Sequence, residues 1–343
     1  MTNQVVAVTG ASGHLGANLV RMLVAAGDEV RAVTAEPVAT DLAALRGLAI
    51  QRVQADITVP EDVRRAFDGA DVVYHLAGWI SVSRRDAARM WRVNHDGARV
   101  VTEACMATGV RRLVHVSSVQ TLAPGQVLDE ASRPATDDAP AYDLSKLAGE
   151  RAVLDAVDAD LDAVVVLPTA IIGPDDHGPS RAGRSLLSIW SGGMPFVTDG
   201  GHDWVDVRDV ARGLIAAARF GRRGARYLLG GTWSSLGDLA HGAAALAGQR
   251  GPRASVPMSL ARAVAPAAEL AARAIGVEPW FTPAALHALR HHEYVDHRLA
   301  ATELGYRPRS LAETLADTHT WWRAREYGRR PSATPNVAMS TSH

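Results

Sequence analysis

Tyr142-Asp143-Leu144-Ser145-Lys146 opens a stretch with helical patterning. Residues four apart on a helix share a face, so the phenol and the ammonium are neighbours. A free phenol holds its proton to about pH 10. A cation within ~4–6 Å favours the phenolate and lowers that value. The pair is therefore expected to act as a general acid/base toward a carbinol or carbonyl oxygen. The 36 basic residues comprise 35 arginines and one lysine, Lys146. With Ala, Gly and Arg so abundant, arginine has replaced lysine wherever any cation suffices, as GC-rich coding would produce. Lys146 thus marks a place where a compact ammonium, able also to donate to a cofactor ribose, is needed and a planar guanidinium will not do. A lone lysine falls four residues after one of six tyrosines by chance roughly 2% of the time, which makes an accidental match a poor explanation.

A second chemical feature follows the first apolar run. Thr9-Gly10-Ala11-Ser12-Gly13-His14-Leu15-Gly16 carries glycines at positions 1, 4 and 7 of the turn and then enters a helix. Gly10 allows a sharp turn, Gly13 allows backbone N–H groups to approach a pyrophosphate, and Gly16 allows helix and strand to pack closely. The helix N-terminus offers the positive end of its dipole to the phosphate. The second strand ends Val33-Thr34-Ala35-Glu36. Neither an acid nor an arginine sits at its tip, and the lack of a well-placed cation leans toward NAD over NADP. Asp56, with Ile57 beside it, can face the adenine or can cap the next helix.

These residues need a scaffold, and the first 170 residues supply one. Short β-branched runs at Val5–Thr9, Glu29–Thr34, Ile50–Gln54, Asp71–Leu76, Arg112–Ser117 and Ala163–Leu167 alternate with helical stretches near 14–26, 39–46, 60–67, 86–108 and 142–158. That alternation predicts a doubly wound α/β fold on a parallel sheet. Runs such as Val72-Val73-Tyr74 and Val164-Val165-Val166 are apolar on both faces, as a sheet covered on both sides requires. Residues 171–328 are expected to form mostly a smaller, mainly helical substrate-binding lobe. In it, a helix lies near 181–191, and 204–230 return to the core with a helix at 207–219 and a strand at Arg226–Leu229. The Ser/Thr/Pro-rich tail 329–343 has little to bury and is expected to be disordered.

Composition narrows the function. The chain is 47% apolar and 21% charged with a formal net charge of -1, so no electrostatic excess draws in nucleic acid. One cysteine, Cys105, excludes an intrachain disulfide and a multi-cysteine zinc site. No apolar stretch approaches the ~18 residues of a membrane span, and nothing at the N-terminus reads as a signal peptide. A cytoplasmic location and no stable membrane insertion are the expectations. His287 and His291, with His292 and Glu293, lack a third ligand at characteristic spacing, so no metal site is expected. The amphipathic segment Leu260–Ile275 reads as a lid or core helix.

Together, the glycine turn, Tyr142–Lys146, Val116-Ser117-Ser118, Asn94 in Val93-Asn94-His95-Asp96-Gly97, Tyr74-His75-Leu76-Ala77-Gly78, Pro168-Thr169-Ala170-Ile171-Ile172-Gly173-Pro174 and Trp204-Val205-Asp206-Val207-Arg208-Asp209 resemble the extended short-chain dehydrogenase/reductase family. The motifs stand in the family's order from Val5 to about Tyr327. The resemblance implies a Rossmann core, an NAD or NADP cofactor, and a homodimer through helices near 86–108 and 142–158. It implies that Ser118 hydrogen-bonds the substrate oxygen, with Ser117 the neighbour to test next, and that Asn94 holds a water in a proton relay to Lys146. Leu76, Ala77 and Gly78 match the turn beside the cofactor's phosphate and ribose, and Pro168, Ala170 and Ile171 the loop that contacts the nicotinamide. Asp206 and Asp209 read as a helix cap and a structural anchor.

Within that family, the nucleotide-sugar epimerases and dehydratases carry an asparagine before the Gly-Pro turn and an arginine before Asp-Phe-Val. This chain has Val166-Leu167-Pro168-Thr169 and Gly201-His202-Asp203-Trp204 there, losing two contacts to a dianionic diphosphate. It looks closer to the branch of dihydroflavonol reductases and 3β-hydroxysteroid dehydrogenases. The expected reaction interconverts a secondary alcohol and a ketone on a hydrophobic small molecule, steroid-, flavonoid- or polyketide-like. Trp79, Ile80, Trp190, Met194, Pro195 and Phe196 are the expected lining. The alternatives are a nucleotide-sugar epimerase or dehydratase and a non-catalytic dinucleotide sensor.

Overall fold

The computed structural model describes residues 4–274, 283–289 and 294–325. The first half runs β1 (Val5–Thr9), α1 (His14–Ala25), β2 (Glu29–Thr34), β3 (Gln51–Gln54), α2 (Pro60–Phe67), β4 (Val72–His75), α3 (Ala87–Trp91), α4 (Gly97–Thr108) and β5 (Arg112–Val116). Next come β6 (Val127–Leu128), α5 (Ala141–Asp158), β7 (Ala163–Pro168), β8 (Ala170–Ile172), α6 (Arg181–Trp190), β9 (Phe196–Thr198), β10 (Gly201–Asp206) and α7 (Val207–Phe220). The chain continues through β11 (Arg226–Leu229), β12 (Thr232–Ser235), α8 (Leu236–Leu246), β13 (Ala254–Val256) and α9 (Met258–Ala274). Last are α10 (Pro283–Ala288), β14 (Tyr294–Val295), α11 (Arg298–Leu304) and α12 (Leu311–Ala324).

Seven strands form one sheet in the order β11-β7-β5-β4-β1-β2-β3, every pairing parallel. The β-branched strands are buried on both faces. One face packs Phe67, Val101, Val153 and their neighbours; the other packs Leu19, Leu23, Val210 and Leu214. This is the doubly wound Rossmann architecture. The strand order reverses between β1 and β4, opening the crevice where such sheets bind ligands at their carboxyl ends. The turns after β1, β4, β5 and β7 all reach that edge.

Two helices differ from expectation. The stretch 39–46 contains only a single 3₁₀ turn, Ala43–Leu45. The Arg52 guanidinium organises its approach, donating to the carbonyls of Pro37, Val38 and Thr40. The helix expected over 86–108 is interrupted by a π-turn at Arg92–Asp96, between α3 and α4. A helical period in sequence cannot reveal one inserted residue, yet this bulge places Asn94.

Beyond Pro168 the structure is not purely helical. β8, β10 and β12 form a three-stranded sheet and β9 pairs with β13. Aromatic and aliphatic side chains of α6, α8 and α12 pack on them, including Leu186, Trp190, Leu239, Leu315 and Trp322. The tail assigned as disordered, 329–343, and His291, His292 and Glu293 lie outside the described residues. Among the described residues, no helix is long and apolar enough to cross a membrane, and no group of metal-ligating side chains gathers.

Candidate active site

The glycine turn is shaped by close backbone contact. Gly10 has φ +67°, and a Cβ there would lie 2.8 Å from the Ala77 nitrogen. A Cβ at Gly16 would stand 2.1 Å from the Gly10 carbonyl oxygen. Gly13 caps α1 without a side-chain hydrogen bond, and no acid occupies the first helical turn, so this N-terminus suits an anion. Thr9 stitches the two edges of the crevice: its Oγ1 accepts from the Leu76 and Ala77 N–H groups, both at 3.2 Å, and hydrogen-bonds His75 Nδ1 at 2.8 Å. Ser12, His14 and Leu15 are partly exposed along the turn. His14 Nε2 contacts the Pro174 carbonyl at 2.9 Å, tying the turn to the loop beyond β8. The cradle fits a dinucleotide.

Gly78 leads from the crevice to Asn94 and Lys146. A Cβ there would lie 3.3 Å from Asn94 Oδ1 and 4.0 Å from Lys146 Nζ, so the missing side chain leaves room beside both. Asn94 is buried and its carboxamide is committed. Oδ1 accepts from the Trp79 N–H at 2.8 Å, while Nδ2 donates to the Trp79 carbonyl and to Ser145 Oγ, each at 3.0 Å. The π-turn directs the Asn94 backbone carbonyl toward α5. Only a glycine at 149 tolerates that carbonyl, which would lie 2.1 Å from a Cβ.

The two serines after β5 separate cleanly. Ser117 Oγ donates to the buried Glu150 carboxylate at 2.5 Å. The Ser118 hydroxyl lies beside the Tyr142 phenol and favours its ionised form. Ser118 also caps the 3₁₀ turn Val119–Thr121, accepting from the Gln120 N–H. Burial pushes the Tyr142 phenol up to about 12, against the Ser118 hydrogen bond and helped by the adjacent Asp143 charge. The expected depression by Lys146 is absent from this geometry. The ammonium instead donates to the Val116 carbonyl at 2.6 Å, and burial pulls it down to about 8 while Glu150 opposes that fall. Beneath it lie two buried histidines with rings 5.1 Å apart: burial lowers His75 to about 3 and holds His115 well below its ordinary value.

At the far side of the crevice, Pro168 is buried at the end of β7, while Ala170 and Ile171 are partly exposed on β8. Between them Thr169 donates to Asp203 Oδ1 at 2.7 Å, which fixes the loop to β10. The carboxyl edge of the sheet thus gathers a phenol, a hydroxyl and an ammonium next to a dinucleotide-shaped cradle.

Residues 6–230 match the NAD dependent epimerase/dehydratase family. The chain belongs to this family. It is an enzyme of nicotinamide-dependent chemistry at CH–OH groups. It is similar to sterol demethylase protein B of Methylococcus capsulatus, 34% identical over 93% of this chain and 98% of that protein. It is also similar to a putative dihydroflavonol 4-reductase of Synechocystis sp., 32% identical over 93% and 95% respectively. Among solved structures, the crystal structure of gox2253 superposes with a TM-score of 0.83 at 30% identity, covering 95% of this chain and all of that one.

Several assignments change within the family frame. Asp56 does not cap α2, whose N-cap is Val59. It is exposed, and its Oδ1 accepts from the Thr58 N–H at 2.9 Å and hydroxyl at 2.8 Å. Ile57 is buried against Gly97. Trp190, expected in the substrate lining, is a core residue: its Nε1 donates to the Ala243 carbonyl at 2.9 Å and its ring packs edge-on to Trp322. Trp79, Ile80, Met194, Pro195 and Phe196 keep exposed or partly exposed surface. Asp206 caps α7 and Asp209 anchors Arg212 and the Arg309 backbone. Thr9, Thr169, Asp203 and Glu150 escape a reading by motif. For Glu150 the sequence offers only its position one turn beyond Lys146, which reads equally as a solvated helix face.

Proposed function

We propose that the enzyme interconverts a secondary alcohol and a ketone on a hydrophobic small molecule. The observation that carries this reading is Lys146 at the Gly78 gap and on the Val116 carbonyl, on the helix that brings Tyr142 to the same sheet edge beside Ser118. Gly10, Gly13, Gly16 and the N-terminus of α1 would hold the pyrophosphate, and Leu76–Gly78 with Pro168–Ile171 would flank the ribose and nicotinamide. When bound, the nicotinamide supplies or accepts the hydride. Ser118 orients the substrate oxygen. Tyr142, held protonated by burial, donates its proton to that oxygen as a ketone is reduced and takes it back in the reverse direction. Lys146, whose ammonium would also meet the cofactor ribose, stabilises the phenolate left behind.

Two features support the finer choices. Arg52, on the strand paired with β2, is spent on three backbone carbonyls, which favours NAD. Ile80 and Phe196 are exposed apolar groups, 64% and 50%, as an apolar substrate's entrance would need. The relatives named for sterol and dihydroflavonol chemistry favour the same substrate class.

The test is a screen of steroid, flavonoid and polyketide-like ketones with NADH and NADPH, following loss of the reduced nicotinamide. Turnover should fall roughly 10²–10⁴-fold in Tyr142→Phe, the usual contribution of a positioned acid/base, while dinucleotide affinity stays near that of the parent. Turnover of a UDP- or dTDP-sugar with none of any ketone would overturn the reading. So would an unimpaired Tyr142→Phe enzyme.

A further inference from the structure

Glu150 is a carboxylate with almost no solvent contact, 2% exposed, on the helix that carries Tyr142 and Lys146. Its Oε2 accepts from Ser117 Oγ at 2.5 Å and from Thr121 Oγ1 at 3.0 Å. Those two residues bracket Ser118, so one carboxylate oxygen closes the turn that presents it. Its other oxygen meets Arg226 Nε of β11 at 2.8 Å, an ion pair set off the N–H axis. The Arg226 NH1 group also reaches the Glu130 carbonyl at 3.2 Å. Three elements therefore converge on one buried anion: α5, the 117–121 turn and the edge strand β11. A buried charge is tolerated only when paired and hydrogen-bonded, and here every partner belongs to the proton-handling region or borders it.

The same anion has an electrostatic consequence. Lys146 lies one helical turn from Glu150 and is buried. The titratable groups coupled to its ammonium are Glu150 from α5, His75 from β4 and His115 from β5, with Arg226 of β11 paired to the far oxygen of Glu150. Both histidines are kept neutral by burial, and Tyr142 is a neutral phenol. Glu150 is thus the negative charge among them, and its field works against the loss of the ammonium proton.

We propose that Glu150 is a positioning residue for proton transfer: its carboxylate clamps the Ser118 turn to the helix bearing Tyr142 and Lys146 and sets a negative charge one helical turn from the ammonium. The assignment of roles rests on the proposed alcohol–ketone reaction, but the central measurement does not need turnover. Because Lys146 is the only lysine in the chain, lysine-specific isotope labelling yields one side-chain signal whose titration reports this site alone.

In the full-length protein, Glu150→Gln should move the Lys146 midpoint down by about one pH unit or more, the usual effect of removing a close opposite charge. Arg226→Met, which removes the competing cation, should move it up. Glu150→Asp should restore most of the parent midpoint. Ser117→Ala keeps the charge and loosens the turn, so it should leave the midpoint in place and lower kcat several-fold with little change in KM. Melting temperature and dinucleotide binding establish that each variant is folded. If Glu150→Gln does not fold, the upward shift in Arg226→Met and the kcat loss in Ser117→Ala still decide the matter. A folded Glu150→Gln protein with the parent's Lys146 midpoint would overturn the proposal, as would Arg226→Met and Glu150→Asp signals indistinguishable from the parent while only melting temperature falls. If no ketone is ever reduced but the midpoints move as stated, the alcohol–ketone reading fails and the role of Glu150 toward Lys146 stands.

Discussion

The cofactor edge of the sheet and the region packed beyond Pro168 are stabilised by different means. At the cofactor edge, shape is set by backbone touching backbone at Gly10 and Gly16, and by buried polar groups whose partners are nearly all accounted for: Thr9, Asn94, Ser145, Ser117 and Glu150. Beyond Pro168, α6, α8 and α12 meet through Leu186, Ile189, Trp190, Leu315 and Trp322, an interior held by volume and ring packing. Within that interior the indole nitrogens of Trp204 and Trp322 have no hydrogen-bond partner among the described residues, as is true of Trp79 Nε1 and both His115 nitrogens near the cofactor edge. A polar, close-contact site admits few residue types at each position. An apolar interior admits many combinations of similar volume. The first region therefore tolerates few substitutions, whereas the second can drift in sequence while keeping its volume.

If that contrast is right, the largest effect should come from the smallest change at the cofactor edge. Gly16→Ala sets a methyl 2.1 Å from the Gly10 carbonyl oxygen, and the turn must move because neither atom belongs to a flexible side chain. Dinucleotide affinity is expected to fall on the order of 100-fold, about 2.7 kcal/mol at about 1.4 kcal/mol per tenfold. Titration of reduced dinucleotide fluorescence measures it, and an affinity within about threefold of the parent would show that the cradle is not rigid.

Trp190→Phe probes the other region and should split the two properties. It removes the hydrogen bond to the Ala243 carbonyl and part of the packing on Trp322. Stability should drop by about 1–3 kcal/mol from the lost contacts and the unpaired carbonyl, with KM for both cofactor and ketone nearly unchanged. Chemical denaturation beside steady-state kinetics checks it. A rise in KM for the ketone alone would return Trp190 to the substrate lining.

The same contrast explains what the sequence revealed. The sheet is legible because apolar β-branched runs such as Val164-Val165-Val166 have one stable use, as strands covered on both faces. Strands appear within a residue of their expected bounds, down to Arg226–Leu229. Gly10, Gly16, Tyr142 and Lys146 are legible because each residue type carries a restricted job. Three things were not. The π-turn at 92–96 depends on Gly149, 50 or more residues away, accepting a carbonyl at close range. Glu150 on a helix reads as a solvated charge until Ser117, Thr121 and Arg226 arrive from other elements. Trp190 near a Gly-rich loop reads equally well as lining or as core, since aromatic volume alone does not tell which side faces a ligand.

Asp143 stands where the two regions meet and gives the finest test of where one ends. It is buried beside Tyr142, with His287 Nε2 of α10 3.9 Å from Oδ2. Burial raises its carboxyl to about 7, and burial also lowers His287, opposite to the shifts an ion pair would produce. The contact therefore joins two largely neutral groups. Between the ordinary carboxyl value of 3.8 and about 7, the folded protein holds a proton on Asp143 that the unfolded chain has released. Stability must then fall as pH rises through this window and level off above it. Asp143→Asn removes that penalty, so it should match the parent near pH 4 and exceed it at pH 8 by on the order of 4 kcal/mol, given about 1.4 kcal/mol for each tenfold change in proton affinity over about three decades. Melting temperatures of both proteins across pH 4–9 decide it. A variant less stable than the parent at pH 8 would mean that Asp143 is charged and paired, and that the polar network of the cofactor edge extends across to α10.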